Sequence, residues 1–132
     1  MTMKDPNTKR RARLLTETEL EMMNLLWRCG ESSVRGLMDL LPPDRDLAYT
    51  SVSTMLRVLE QKGAVGSRKQ GRGHIYFPLI AKPEYETRSL THLVEKVFDG
   101  APGALVRRLI EAGELSTAEL REIQQLLGKR LN

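Results

Sequence analysis

Apolar residues return at helical spacing along most of this chain, and one short stretch switches to the alternation of a strand. Leu20, Met23 and Trp27 share one face of a predicted helix opened by Thr16-Glu17-Thr18-Glu19 and ended near Gly30. Met22, Leu25 and Leu26 fall largely on its other face, so this helix is expected to be buried from two directions, with Trp27 as a core anchor. Thr16 and Glu19, three residues apart, form a capping box. A short second helix, Val34 to Leu41, carries the stripe Val34, Leu37, Met38 and Leu41; Ser32 or Ser33 caps it and Pro42-Pro43 stops it.

A third helix is predicted from about Ala48 to Lys62, with Gly63 placed to close it in the left-handed conformation. Val52, Leu56 and Leu59 make a narrow apolar stripe, with Met55 at its edge. The opposite face holds Thr50, Ser53, Thr54, Arg57 and Gln61, none of them acidic and all able to donate a hydrogen bond. Glu60 is the helix's only acid and sits off that face. Ala64–Lys69 and His74–Leu79 are candidate strands around the flexible turn Gln70-Gly71-Arg72-Gly73. In the second strand Ile75, Phe77 and Leu79 alternate with His74, Tyr76 and Pro78, so the first three are expected to face inward. Arg68, Lys69 and Arg72 make the loop positive.

Ala81-Lys82-Pro83-Glu84 marks a boundary. Beyond it a helix to about Asp99 carries Leu90, Leu93, Val94 and Val97 in a stripe, with Phe98 beside it. After Gly100-Ala101-Pro102-Gly103 comes a short helix with Leu105, Val106, Leu109 and Ile110. A last helix, opened by the capping box Ser116/Glu119, aligns Leu120, Ile123, Leu127 and Leu131. About fifty residues in three helices make a thin core alone, so these stripes are expected to complete it with a second copy; the competing arrangement packs them back within one chain.

The fold class expected is therefore mainly α with a small two- or three-stranded β wing. A winged helix-turn-helix spans 15–81, a helical dimerisation region spans 82–132, and 1–14 is a basic arm. That arm, with Lys4, Lys9, Arg10, Arg11 and Arg13, reads equally as an extension lying along DNA phosphates or in a minor groove and as a frayed tail.

Charge locates the partner. Residues 1–82 carry 14 Lys and Arg against 9 Asp and Glu, whereas residues 83–132 carry 7 against 8, which places an anionic partner on the N-terminal two-thirds. No apolar run is long enough to span a membrane, so no direct membrane insertion is expected. The single cysteine, Cys29, excludes an intramolecular disulfide and fits a cytoplasmic location. His74, His92 and Cys29 offer no metal-ligand spacing. Gly71-Arg72-Gly73 lacks the strand–helix context of a phosphate loop, and no nucleophile–base or paired-carboxylate arrangement stands out. No metal, cofactor or enzymatic activity is expected.

A helix whose outer face is small hydroxyls, one Arg and one amide, followed by a basic hairpin, suits double-stranded DNA. Thr50, Ser53, Thr54 and Arg57, with Ser51 at the flank, are the expected groove contacts, and Arg68, Lys69 and Arg72 the expected phosphate or minor-groove contacts. A surface helix and hairpin with ordinary solvated charges is the bland alternative. RNA binding would call for aromatic platforms, for which Tyr49 and Tyr76 are the exposed candidates.

Leu15-Thr16-Glu17-Thr18-Glu19-Leu20-Glu21-Met22-Met23-Asn24-Leu25-Leu26-Trp27 resembles the opening of the penicillinase-repressor family, which includes repressors of β-lactamase, methicillin-resistance and copper-transport operons. Asp46–Leu59 with Lys62-Gly63 resembles its recognition helix, Gly71-Arg72 and Ile75–Leu79 its wing, and Val97–Gly100 with Leu115-Ser116 its dimerisation region. The resemblance implies a homodimeric repressor on a dyad-symmetric operator. Leu90, Leu93, Val94, Val97, Leu105, Leu109, Leu120, Ile123 and Leu127 would then form the dimer seam. It also implies an off-switch. In the β-lactam branch a membrane sensor-peptidase system leads to cleavage in the short dimerisation helix, and the corresponding position here is Arg108-Leu109. In the copper branch the C-terminus carries a cysteine-rich hook, whereas this chain ends Leu127-Gly128-Lys129-Arg130-Leu131-Asn132, without cysteine. The runner-up is a winged-helix regulator whose C-terminal helices sense a small ligand or recruit a protein.

Overall fold

A computed structural model describes residues 14–132. The basic arm assigned to 1–14 lies, Leu14 apart, outside the described residues. The elements run α1 Glu17–Cys29, α2 Val34–Leu40, α3 Tyr49–Gln61, β1 Val65–Gln70, β2 Gly73–Pro78, α4 Lys82–Val97, α5 Pro102–Glu111 and α6 Thr117–Leu131. The architecture is mainly α with a two-stranded antiparallel wing, to which Ser32 adds one isolated bridge on Tyr76. The described chain divides into two compact units, one ending at Ser89 and the other spanning Leu90–Asn132.

Local signals set the ends of the helices. Thr16 N–H donates to Glu19 Oε1 at 2.8 Å and Glu19 N–H to Thr16 Oγ1 at 3.2 Å, closing the capping box of α1. Of the two candidate serines before α2, Ser33 is the cap, accepting from Gly36 N–H at 3.1 Å. Ser32 instead exchanges backbone hydrogen bonds with Tyr76 at 2.9 and 2.8 Å. Helix α2 stops one residue short of the expected Leu41, whose ψ of 145° is extended. A residue preceding proline is pushed out of the helical region, and Pro42 follows. At the end of α3, Gly63 takes φ 81°. Its N–H donates to Glu60 O at 3.0 Å and that of Ala64 to Leu59 O at 2.9 Å, the paired bonds of a Schellman closure.

The core of the first unit gathers Met22, Met23 and Leu26 of α1, Leu37 of α2, Val52, Leu56 and Leu59 of α3, Val65 of β1 and Ile80, all fully buried. Helix α1 is covered on two sides, as its pattern requires. Trp27 is half-buried: its ring lies 5.8 Å from that of Tyr85, and Nε1 donates to Ile80 O at 2.9 Å. Tyr85, from the first turns of α4, is buried in this core and its hydroxyl accepts from Leu15 N–H at 3.0 Å.

Glu19 is 6% exposed. It accepts from Lys62 Nζ at 2.7 Å, which ties the start of α1 to the end of α3. Burial pushes the Glu19 carboxyl up, but the Lys62 ammonium and the Thr16 N–H and hydroxyl together outweigh it and hold the carboxyl below its ordinary value of 4.5. A depressed folded-state pKa contributes stability that is present above 4.5 and disappears as pH falls through the folded value. Glu19→Gln should therefore lower thermal stability at pH 7 by about 1–2 kcal/mol. Its deficit relative to the parent should shrink in melts recorded at successively lower pH below 4.5; a deficit constant across that range would remove the ion pair from the account.

The wing corrects one expectation. β1 and β2 pair in the register Val65↔Pro78, Gly66↔Phe77, Ser67↔Tyr76, Arg68↔Ile75, Lys69↔His74 and Gln70↔Gly73. Tyr76, read as exposed, is only 5% exposed; Ile75 and Phe77 are half-buried and Leu79 is 43% exposed. The inward face is thus the one holding Tyr76, because its backbone bridges Ser32 and seats the strand against the loop between α1 and α2. Phe77 on the other face lies over Gly66, where an added Cβ would come 2.7 Å from Cε2 of that ring. The aromatic ring fills the space the missing side chain leaves, so both faces of β2 are covered.

In the second unit, α4 ends at Val97, two residues before the expected Asp99. Asp99 and Gly100 take φ 52° and 77°, and Gly100 N–H donates back to Val94 O at 2.9 Å. Ser116 and Glu119 close the capping box of α6 at 3.0 and 3.1 Å. Helices α5 and α6 bury no residue. Among the described residues no helix is long and apolar enough to cross a membrane.

Candidate nucleic-acid interface

Three elements converge on one surface of the first unit. Helix α3 turns Val52, Leu56 and Leu59 into the core and leaves Thr50, Ser51, Thr54, Arg57 and Gln61 exposed, with Ser53 half-exposed. The apolar stripe thereby decides which side chains reach solvent. The helix's one acid is diverted: Ser67 Oγ donates to Glu60 Oε2 at 2.6 Å, drawing that carboxylate to the base of the wing. Tyr76 lies close enough that its hydroxyl is pushed up by burial and then by Glu60, against the opposing pull of Arg57. The exposed outer face is left with hydroxyls, an amide and one guanidinium.

The hairpin reverses at Gly71-Arg72, with Gly71 at φ 62°. A positive φ at the first position of a two-residue loop matches the twist of the flanking strands, and glycine adopts it without strain. Lys69 and Arg72 are exposed and make no ion pair with the described residues. Arg68 differs. Its guanidinium is paired to Glu31, which follows α1, so the Glu31 carboxyl is held below its ordinary value chiefly by that hydrogen bond. Together with the Ser32–Tyr76 bridge, this pair ties the wing to the loop between α1 and α2. Of the eight cationic and hydroxyl groups assigned to α3 and the wing, Ser53 is half-exposed and the other seven are exposed, but Arg68 alone is paired, to Glu31.

Three contacts that shape this surface had no signal in the sequence: Glu31 with Arg68, Glu60 with Ser67, and Arg35 of α2 over the ring of Tyr49, 5.2 Å from its centroid. A fourth, Arg45 Nε with Glu21 Oε2 at 3.0 Å, fastens the turn before α3 to α1. Each joins two different elements or the loops beside them, across separations from 7 positions for Glu60 and Ser67 to 37 for Glu31 and Arg68.

In the second unit the residues assigned to a dimer seam are mostly uncovered. Leu90, Leu93, Val97, Leu109, Leu120 and Leu127 are exposed, Leu105 and Ile123 half-buried, and Val94 buried. Leu90, Leu93, Phe98, Leu105, Leu109 and Ala112, with Arg108 and Glu114 at the rim, line an apolar groove of about 360 Å³. Arg108 and Leu109, the suggested cleavage position, lie inside α5, and Arg108 Nη1 pairs with Glu111 Oε2 at 3.2 Å. No group of three His, Cys, Asp or Glu among the described residues is arranged to hold a metal ion.

The family model described as Penicillinase repressor matches residues 15–129. The penicillinase repressor of Bacillus licheniformis is 25% identical over 118 residues, covering 89% of this chain and 92% of that protein. The transcriptional regulator BlaI of Mycobacterium tuberculosis is 31% identical, covering 74% of this chain and 83% of its own. Among solved structures, the monomeric form of Bacillus licheniformis BlaI in complex with the blaP half-operator aligns at 27% identity with a TM-score of 0.48, covering 56% of this chain and 90% of that one.

Proposed function

The chain belongs to the penicillinase repressor family, and on that premise we propose that it is a DNA-binding transcriptional repressor acting as a homodimer on a dyad-symmetric operator. One observation carries the reading: the exposed face of α3 bears hydroxyls, Gln61 and Arg57 with its only acid drawn aside, and the exposed cations Lys69 and Arg72 stand on the hairpin that Ser67 joins to that helix. Such a face matches the donor and acceptor edges of a major groove, and the wing cations match the phosphates beside it. Thr50, Ser53, Thr54 and Arg57 read bases, with Ser51 at the flank. Lys69 and Arg72 hold phosphates. Arg68, committed to Glu31, steadies the wing and reaches DNA only by exchanging that carboxylate for a phosphate.

Two copies are required for tight binding. One winged helix buries too little surface for high specific affinity, whereas linking two half-sites raises it through effective concentration. The uncovered leucines and valines of α4, α5 and α6 form an apolar surface of the kind that marks association between chains. Half-sites are then spaced by one helical turn or a multiple of it. Release follows from proteolytic cutting at Arg108-Leu109 by a system coupled to a membrane sensor, which would remove α6 from the shared seam. The apolar groove beside Leu109 favours a second reading, in which a small apolar ligand occupies it and shifts the dimer.

The test is selection of bound duplexes from a random pool, with the mass of the winning complex. An inverted repeat holding two chains upholds the proposal; binding without any enriched sequence refutes operator recognition. At the level of one side chain, Arg72→Ala should weaken binding to all duplexes alike and lower the slope of log affinity against log salt by about one. A changed preference among operators with the slope intact would move Arg72 from phosphate to base.

A further inference from the structure

Arg35 is an exposed residue of α2 with Asp39 one turn further along the same helix, yet it forms no ion pair with it. Its guanidinium lies instead over the ring of Tyr49, 5.2 Å from the centroid. Tyr49 is the first residue of α3 and, unlike Trp27, Tyr76, Phe77 and Tyr85, which are buried or half-buried, is 45% exposed. On the helical wheel it falls between the buried stripe of Val52 and Leu56 and the outer face of Thr50, Thr54 and Arg57. A helix with its side chains is about 10–12 Å across and the major groove about 12 Å wide, so an inserted helix turns its outer face to the bases and its flanks to the phosphate walls. Stacking on an aromatic face fixes the plane of a guanidinium and leaves its edge N–H donors free for a planar, bidentate acceptor.

From this arrangement we propose that Arg35 is a phosphodiester-binding residue and Tyr49 the positioning residue that holds it, so that DNA is gripped at the N-terminal flank of α3 as well as at the wing. The inference rests on the DNA-binding reading above. Arg35 adds a cation on α2, an element to which sequence pattern assigned no contact with the partner, and with Lys69 and Arg72 it brackets α3 between two phosphate grips. Fixing both ends of the helix sets its register in the groove, which is what backbone contacts contribute to recognition.

The experiment measures duplex affinity of the full chain across a salt series, on the selected operator and on an unrelated duplex. Arg35→Ala should weaken both by a similar factor, roughly three- to tenfold, and lower the salt slope by about one. Arg35→Lys should recover most of the slope. Tyr49→Phe, which keeps the ring, should bind as the parent does. Tyr49→Leu should lose part of the affinity in the parent but almost none in the Arg35→Ala background, since its effect passes through Arg35. Arg35→Ala with an unchanged salt slope and a lowered melting temperature would make the pair a structural brace and overturn the proposal. Parent protein that shows no salt-dependent binding to any duplex would instead overturn the DNA-binding reading beneath it.

Discussion

Leu109→Glu should produce a monomer and lower operator affinity by about a hundredfold or more. Leu109 is 39% exposed on α5 and lines the apolar groove with Leu90, Leu93, Phe98 and Leu105. In an isolated chain the new carboxylate reaches water, and Glu is a good helix former, so α5 should persist with little loss of stability. In a dimer the same carboxylate would be placed against a second apolar surface without a partner charge, and a buried unpaired charge is expensive. Losing the dimer loses the gain from joined half-sites, which spans about 10²–10⁴. Three measurements define the result: sedimentation equilibrium should report a single chain, full-operator affinity should drop, and half-operator affinity should stay as in the parent. A variant that remains dimeric with full operator affinity would place the seam elsewhere than on this groove.

Arg57→Ala should cost about 1–3 kcal/mol on the preferred operator while leaving affinity for unrelated duplexes nearly unchanged. Arg57 is exposed on the outer face of α3, its neighbouring carboxylate Glu60 is held by Ser67, and it makes no ion pair with the described residues. Its five donors are therefore available for the paired acceptors that guanine presents in the major groove. Alanine favours the helix at least as well, so the melting temperature should hold. Competition binding against operators changed one base pair at a time should find one position whose discrimination collapses. Equal losses on every duplex, with a salt slope lower by about one, would reassign Arg57 to a phosphate.

Much of this architecture was legible because its determinants are local. The capping boxes Thr16/Glu19 and Ser116/Glu119, the closing Gly63 and the breaks at Pro42 and Gly100 act within three or four residues, and each element they delimit lies where the pattern placed it to within two residues. The outer face of α3 was legible for the same reason: once Val52, Leu56 and Leu59 turn inward, the helical repeat leaves no choice for Thr50, Thr54 and Arg57. The wing was read less well. Ile75, Phe77 and Leu79 are more apolar than the alternating set His74, Tyr76 and Pro78, so composition gave no sign that Tyr76 would be the most buried residue of the strand. A tyrosine ring buries as much apolar surface as its neighbours while its hydroxyl tolerates the edge, so hydrophobicity alone ranks such a strand poorly.

What the sequence by itself determined, then, is the order and limits of the helices, the place of the hairpin turn, and the division between buried and exposed faces of α1 and α3. Tertiary structure alone decided which face of β2 meets the core, that Ser33 caps α2 while Ser32 bridges Tyr76, that Arg68 is spent on Glu31, and that Arg35 lies on Tyr49. The physical reason is range. Caps, turns and periodic stripes act between residues already adjacent along the backbone, whereas an ion pair across 37 positions or a guanidinium over a distant ring exists only after packing has brought the two helices and the hairpin together.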